Sequence, residues 1–160
     1  MGLNATVYCD CYEKGKLRAP PPQPEHVYIE QSGQLCLRWE SPGADEHRFN
    51  EWQEQACEHQ PSGAAVSHSL GNKSAIAQLR EILSLGEGDF SDLLTRVLYN
   101  GTHCGDHLDA KAVAGLASEM PALSRLEGRS EAEKMLLREF EHHMHELIEA
   151  ATRLNKPIAF

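Results

Sequence analysis

HVYIEQSGQLCLRWESPGADEHRFNEW, residues 26–52, changes its period halfway along. Val27, Ile29, Leu35, Leu37 and Trp39 alternate with polar residues, and Gln31-Ser32-Gly33-Gln34 separates the two runs. Residues two apart on a strand share a face, so this half reads as a hairpin with one apolar side. Ser41-Pro42-Gly43 ends it. From Asp45 onward Phe49, Trp52, Gln53 and Ala56 fall at helical spacing, with Asp45 placed as the cap and Pro61 as the stop. Strands come first and helices follow, which is the order of an α+β domain.

On the amino-terminal side, LNATVYCDCYE (Leu3 to Glu13) reads as a strand that Lys14-Gly15-Lys16 breaks. It can pair beside the hairpin, which predicts a small antiparallel amino-terminal sheet of about three strands. APPPQPE (Ala19 to Glu25) is proline-rich and extended, a connector between the two. On the carboxy-terminal side, Pro61 to Ser69 reads as a loop with a short extended piece at Ala65-Val66-Ser67. Asn72 opens a helix carrying Ile76, Leu79, Ile82, Leu83 and Leu85, which Gly86-Glu87-Gly88 ends. Asp89 and Asp92 pair as caps of a further helix that stops at Asn100-Gly101. Asp109 caps another, ending near Pro121, and Ser130 with Glu133 opens the longest, running to Asn155. The apolar tail Ile158-Ala159-Phe160 is expected to dock rather than hang in water. The expectation is one domain, 1–160: residues 1–40 mainly β with the connector at 19–25, and 45–160 with about five helices, the last one long.

The chain has 24 acidic and 15 basic side chains, a formal net charge of -9. Nucleic-acid affinity rests on phosphate neutralisation by Lys and Arg, so direct nucleic-acid binding is excluded as an expectation. A basic partner is attracted instead. No apolar run reaches membrane-span length and no secretory signal is read at the start. Five cysteines is an odd number; with no export signal it points to free thiols in a cytoplasmic, reducing compartment. Oligomeric state is not legible.

Candidate chemistry lies in polar segments. NGTHCGDHLD, residues 100–109, offers His103, Cys104, Asp106 and His107. Gly101 and Gly105 argue against a helix there, and no Glu follows the first His, so it reads as a structured turn between helices. Cys9 and Cys11, two apart on a strand, would hold their sulfurs ~6–7 Å apart, wide for one tetrahedral zinc unless the strand bends. The composite metal site read from the sequence is Cys57, His59, His68 and His103, gathered from three loops, with zinc as its ion; no other cofactor is called for. EHHMHE, residues 141–146, reads as a solvated helix face. GEGDFSD lacks the lysine and spacing of a phosphate loop. No catalytic residue is assigned. The least balanced charge lies along Asp45, Glu46, Glu51, Glu54 and Glu58, with Trp52 among them and Arg48 the one opposing cation; this is the expected partner-binding face.

MGLNATVYCDCYEKGKL, the proline run, CEHQPSG, VSHSLGN, VLYNGTHCGD and the closing NKPIAF together resemble a family of small bacterial proteins associated with the immunity proteins of polymorphic toxin systems. The resemblance implies a cytosolic binding protein that neutralises a cognate, basic, nuclease-type toxin by occluding its cleft. The alternative is a zinc-binding hydrolase using the loops around 57–68 and 103–107.

Overall fold

The first strand does not join the hairpin. The computed structural model describes all residues except Met1, Trp39, Ser41, Pro42, Ala44, Gln60, Pro61, Glu87, Asn100, Gly101, Thr102 and Cys104. The strands are β1 (Gly2–Tyr8), β2 (Val27–Ile29), β3 (Leu35–Leu37), β4 (Ala64–Asn72), β5 (His107–Leu108) and β6 (Ile158–Ala159). Among the described residues β4-β1-β6-β5 form one antiparallel sheet, and β2-β3 form a separate two-stranded one. The expected hairpin is present, with Val27 opposite Leu37 and Ile29 opposite Leu35. β1 instead runs against β4, from Gly2 opposite Asn72 to Tyr8 opposite Ala64. Ala5 and Val7 of β1 and Leu70 of β4 turn into the main core, while Thr6 and Ser67 meet on the other face with hydroxyl oxygens 2.9 Å apart.

The segment read as a loop, Pro61 to Ser69, is therefore mostly strand. Its Ser67-His68-Ser69 centre has little β preference, and pairing to a distant strand supplies what the local sequence does not. The apolar tail docks as expected: Ile158 is fully buried and Ala159 pairs with both Thr6 and His107.

The helices are α1 (Glu46–Gln53), α2 (Lys73–Ser84), α3 (Ala110–Leu123) and α4 (Glu131–Leu154), with a π-helical turn at Leu93–Val97. Four predicted caps are in place. Asp45, Asn72, Asp109 and Ser130 accept from the backbone N–H three residues on, at 3.0, 3.0, 2.8 and 3.2 Å. Two expectations are corrected. Pro121 lies inside α3 rather than ending it. The turn after Asp89 is capped by Glu119 of α3, whose carboxylate accepts from Asp92 N at 2.6 Å and Leu93 N at 2.9 Å. The predicted stop at Asn100-Gly101, the strand residue Trp39 and the turn residues Ser41 and Pro42 lie outside the described residues.

The architecture is α+β. Its main core holds Val7, Leu79, Leu83, Leu93, Leu116, Phe140, Met144, Leu147 and Ile158, all fully buried between the main sheet and the helices α2, α3 and α4. Residues 9–63 stand apart as a small lobe made of the connector, β2-β3 and α1. Its buried apolar side chains among the described residues are Cys11, Pro21, Leu37, Phe49, Ala56 and Cys57, outside the main core. Polar ties shape it: Trp52 Nε1 donates to the Ala19 carbonyl at 3.0 Å, Gln53 Nε2 to Leu35 at 3.0 Å, and Asp45 N to Gln23 Oε1 at 2.7 Å.

Candidate metal centre

β1 stops at Tyr8, just past a shift of register with β4. Cys9 N still donates to the Gly63 carbonyl at 2.8 Å, and then the chain turns back. Lys14 N reaches the Asp10 carbonyl at 3.0 Å and Lys16 N the Cys11 carbonyl at 2.8 Å, with Gly15 at φ 63° closing the turn. Asp10 is buried beside the Lys14 ammonium, and that cation holds its carboxyl below the ordinary carboxylate value. The strand spacing that would separate the two sulfurs therefore ends one residue before Cys9.

The opposing ligands come from the segment after α1. Arg18 N bonds the Ala56 carbonyl at 2.8 Å and Gly63 N the His59 carbonyl at 3.1 Å, so this segment is anchored at both ends. Ser62 and Gly63 both take positive φ, 53° and 76°, and swing the chain back into β4. A Cβ on Gly63 would stand 3.6 Å from Cys9 Sγ.

The result is one group of four ligands. Cys9, Cys11 and Cys57 Sγ and a His59 ring nitrogen all lie within 4.8 Å of one another. Cys9 Sγ is 3.8 Å from Cys57 Sγ, Cys11 Sγ is 3.3 Å from His59 Nδ1, and Cys57 Sγ is 3.9 Å from His59 Nδ1. A tetrahedral ion with metal–sulfur bonds of about 2.3 Å needs sulfurs about 3.8 Å apart. The group fits a metal ion in spacing and in donor chemistry. Burial, and then the thiols of Cys9 and Cys57, push the Cys11 thiol up to about 12. Burial raises Cys9 as well. Burial thus disfavours the thiolate at Cys9 and Cys11, and a divalent cation among the sulfurs reverses that preference because a coordinated thiol is deprotonated. The adjoining cavity, lined by Tyr8, Cys9, Tyr12 and Cys57 among others, is about 30 Å3, room for water.

Of the composite read from the sequence, Cys57 and His59 belong to this centre, while His68 and His103 do not. His68 lies on β4, with Nε2 2.6 Å from Glu146 Oε2 and its ring stacked on His143 at 4.3 Å. His103 packs between the rings of Tyr99 at 4.1 Å and Phe160 at 4.8 Å, with Nδ1 3.5 Å from Asp106. Both are part of the main body and not of the lobe. Cys9 and Cys11 take their places, and Cys104 lies outside the described residues. The expected partner face is on the same lobe: Glu46, Glu51, Glu54 and Glu58 are exposed, and Glu58 separates two ligands. Asp45 is committed to its cap. Trp52 is half-buried, packs on Phe49 at 5.6 Å and spends its N–H on the connector.

Among the described residues no helix is long and apolar enough to cross a membrane. Comparison with family models, with curated proteins and with solved structures finds no match.

Proposed function

We propose that the chain is a zinc-stapled binding protein. Cys9, Cys11, Cys57 and His59 hold one structural zinc ion, which folds the 9–63 lobe and fixes the acidic helix α1 on it for a basic protein partner. The observation that carries this reading is the gathering of four soft and imidazole donors within 4.8 Å of one another. The reason to need a staple is the lobe's core. Its few buried apolar side chains cannot offset the ordering of some fifty residues, and small units of that kind are held by metals or disulfides. The exposed carboxylates suit a cationic surface such as the cleft of a nuclease toxin, as the resemblance to immunity proteins implies. A hydrolytic zinc keeps one position open for water, whereas three thiolates and one imidazole fill a tetrahedral shell.

The test is metal content coupled to local protection. Untagged protein should carry one zinc per chain, and Cys11→Ser should lose it. Amide exchange over residues 9–63 should then rise sharply while α2, α3 and α4 stay protected. A chain that purifies without zinc and still protects the lobe would overturn the reading.

A further inference from the structure

The histidine-rich face of α4 meets β4 in a second gathering of donors. His68 Nε2 lies 2.6 Å from Glu146 Oε2, and His142 Nε2 lies 3.7 Å from the same oxygen. His142 and Glu146 are one helical turn apart, so both project to one side of α4, and His68 faces them from the strand. The His68 ring is held by its stack on His143, 4.3 Å away with planes 10° apart. His68 Nε2 is buried yet makes no well-formed hydrogen bond in spite of the carboxylate beside it. The nitrogen is thus fixed in place against a carboxylate in an ion-pair contact that lacks hydrogen-bond geometry, two donors of different kind side by side.

We infer that His68, His142 and Glu146 form a second metal site, for a divalent late transition-metal ion such as zinc or nickel, bridging β4 and α4. At bond lengths near 2.1 Å, tetrahedral ligands stand about 3.4 Å apart. The His142–Glu146 separation of 3.7 Å is close to that, and the His68–Glu146 separation of 2.6 Å has to open. The three donors are not yet gathered as the cysteine group is, so His142 has to turn to close the site. Two imidazoles and one carboxylate favour a late transition metal over magnesium or calcium, which take oxygen ligands. The His142 side chain is 67% exposed, so it can turn toward the ion without disturbing the core, and Glu146 at 45% leaves the outer side of the site open to water. The site stands independently of the cysteine centre, because it shares no residue and no element with it.

The experiment is calorimetric titration of Zn2+ into untagged protein already loaded with one equivalent of zinc. Wild type should take up a further equivalent, and His142→Ala should weaken that binding by about tenfold or more, since even outer partners of a metal site are worth that much. Glu146→Gln should do the same. His145→Ala, which removes another exposed histidine of the same helix, should leave it unchanged. Loss of equal size in His145→Ala, or uptake in His142→Ala equal to wild type, overturns the proposal. The difference between His142→Ala and wild type reads this site whether or not the cysteine centre is loaded, so the failure of one reading is distinguishable from the failure of the other.

Discussion

His103 shows how one buried ring turns into a pH dependence. Its side chain is 11% exposed, and burial lowers its pKa below the ordinary 6.5 despite the opposing pull of Asp106. The folded chain therefore keeps it neutral at a pH where the unfolded chain already protonates it. Between those two values the unfolded state binds more protons, so stability falls as pH drops through 6.5 and levels off below the folded value. His103→Phe should remove this loss, since Phe suits the gap between Tyr99 and Phe160. The check is the urea midpoint of both proteins from about pH 7.5 to about pH 5; parallel curves would place the acid sensitivity elsewhere. The same residue marks the limit of reading single residues from the sequence. His59 and His103 are equivalent as text, each near a cysteine in a polar loop. What separates them is which distant element each loop folds against. Cys9 and Cys11 are legible as donors, but a straight strand through Glu13 holds their sulfurs apart, and the turn after Tyr8 brings them together.

At the scale of elements, most local signals match the structure, the Asp89 cap and the stop near Pro121 excepted, and distant pairings are not legible. An N-cap is a side chain meeting a backbone N–H three residues away, so Asp45, Asn72, Asp109 and Ser130 could be read one by one. The hairpin was legible for the same reason. The partners of β1 are some sixty residues and a whole chain away, at β4 and β6, and no local pattern names them. The cap supplied by Glu119 is equally remote. Helix α1 carries a prediction of its own. Its apolar contacts and the Trp52 N–H are used inside the lobe, so what it offers a partner is charge. Exposed carboxylates speed the encounter with a basic protein more than they hold the final complex, and salt screens them. Glu51→Lys combined with Glu54→Lys should therefore slow association with a basic partner isolated from the native host at low salt, by about tenfold or more, and flatten its salt dependence. Among the described residues the ion pair of Glu51 is with His47 one turn back, at 3.3 Å, and the zinc content should not change. Equal association rates for the two proteins would exclude α1 as the contact face.

Across the whole molecule, the lobe is joined to the body by more than the chain. Lys156, with its side chain 8% exposed, pairs with Glu13, which follows the cysteine pair. Beside it a Cβ on Gly33 would stand 3.3 Å from Pro157 Cδ, so the hairpin turn rests against the carboxy-terminal segment. An ammonium this buried is costly without its carboxylate, more so than an apolar side chain in the same place. Glu13→Gln should therefore destabilise the protein by about 1–3 kcal/mol, below the roughly 3–5 kcal/mol of a fully buried pair because the Glu13 side chain is 38% exposed. Glu13→Gln with Lys156→Met should recover most of that loss. A metal ion held by the cysteine centre would couple to this pair, because Glu13 follows the turn that carries Cys9 and Cys11. If zinc folds the lobe, a chelator frees Glu13 and lets water reach Lys156, and the penalty of Glu13→Gln should vanish. The four proteins formed by wild type and Glu13→Gln, each with and without chelator, make a cycle whose coupling term is read from the urea midpoint of the helical signal. A coupling close to the whole penalty means that the metal centre and the ion pair hold the lobe as one unit. A penalty that survives chelation means that the lobe keeps its fold and its dock on the body without the ion, and the zinc would then have to be explained by something other than stability.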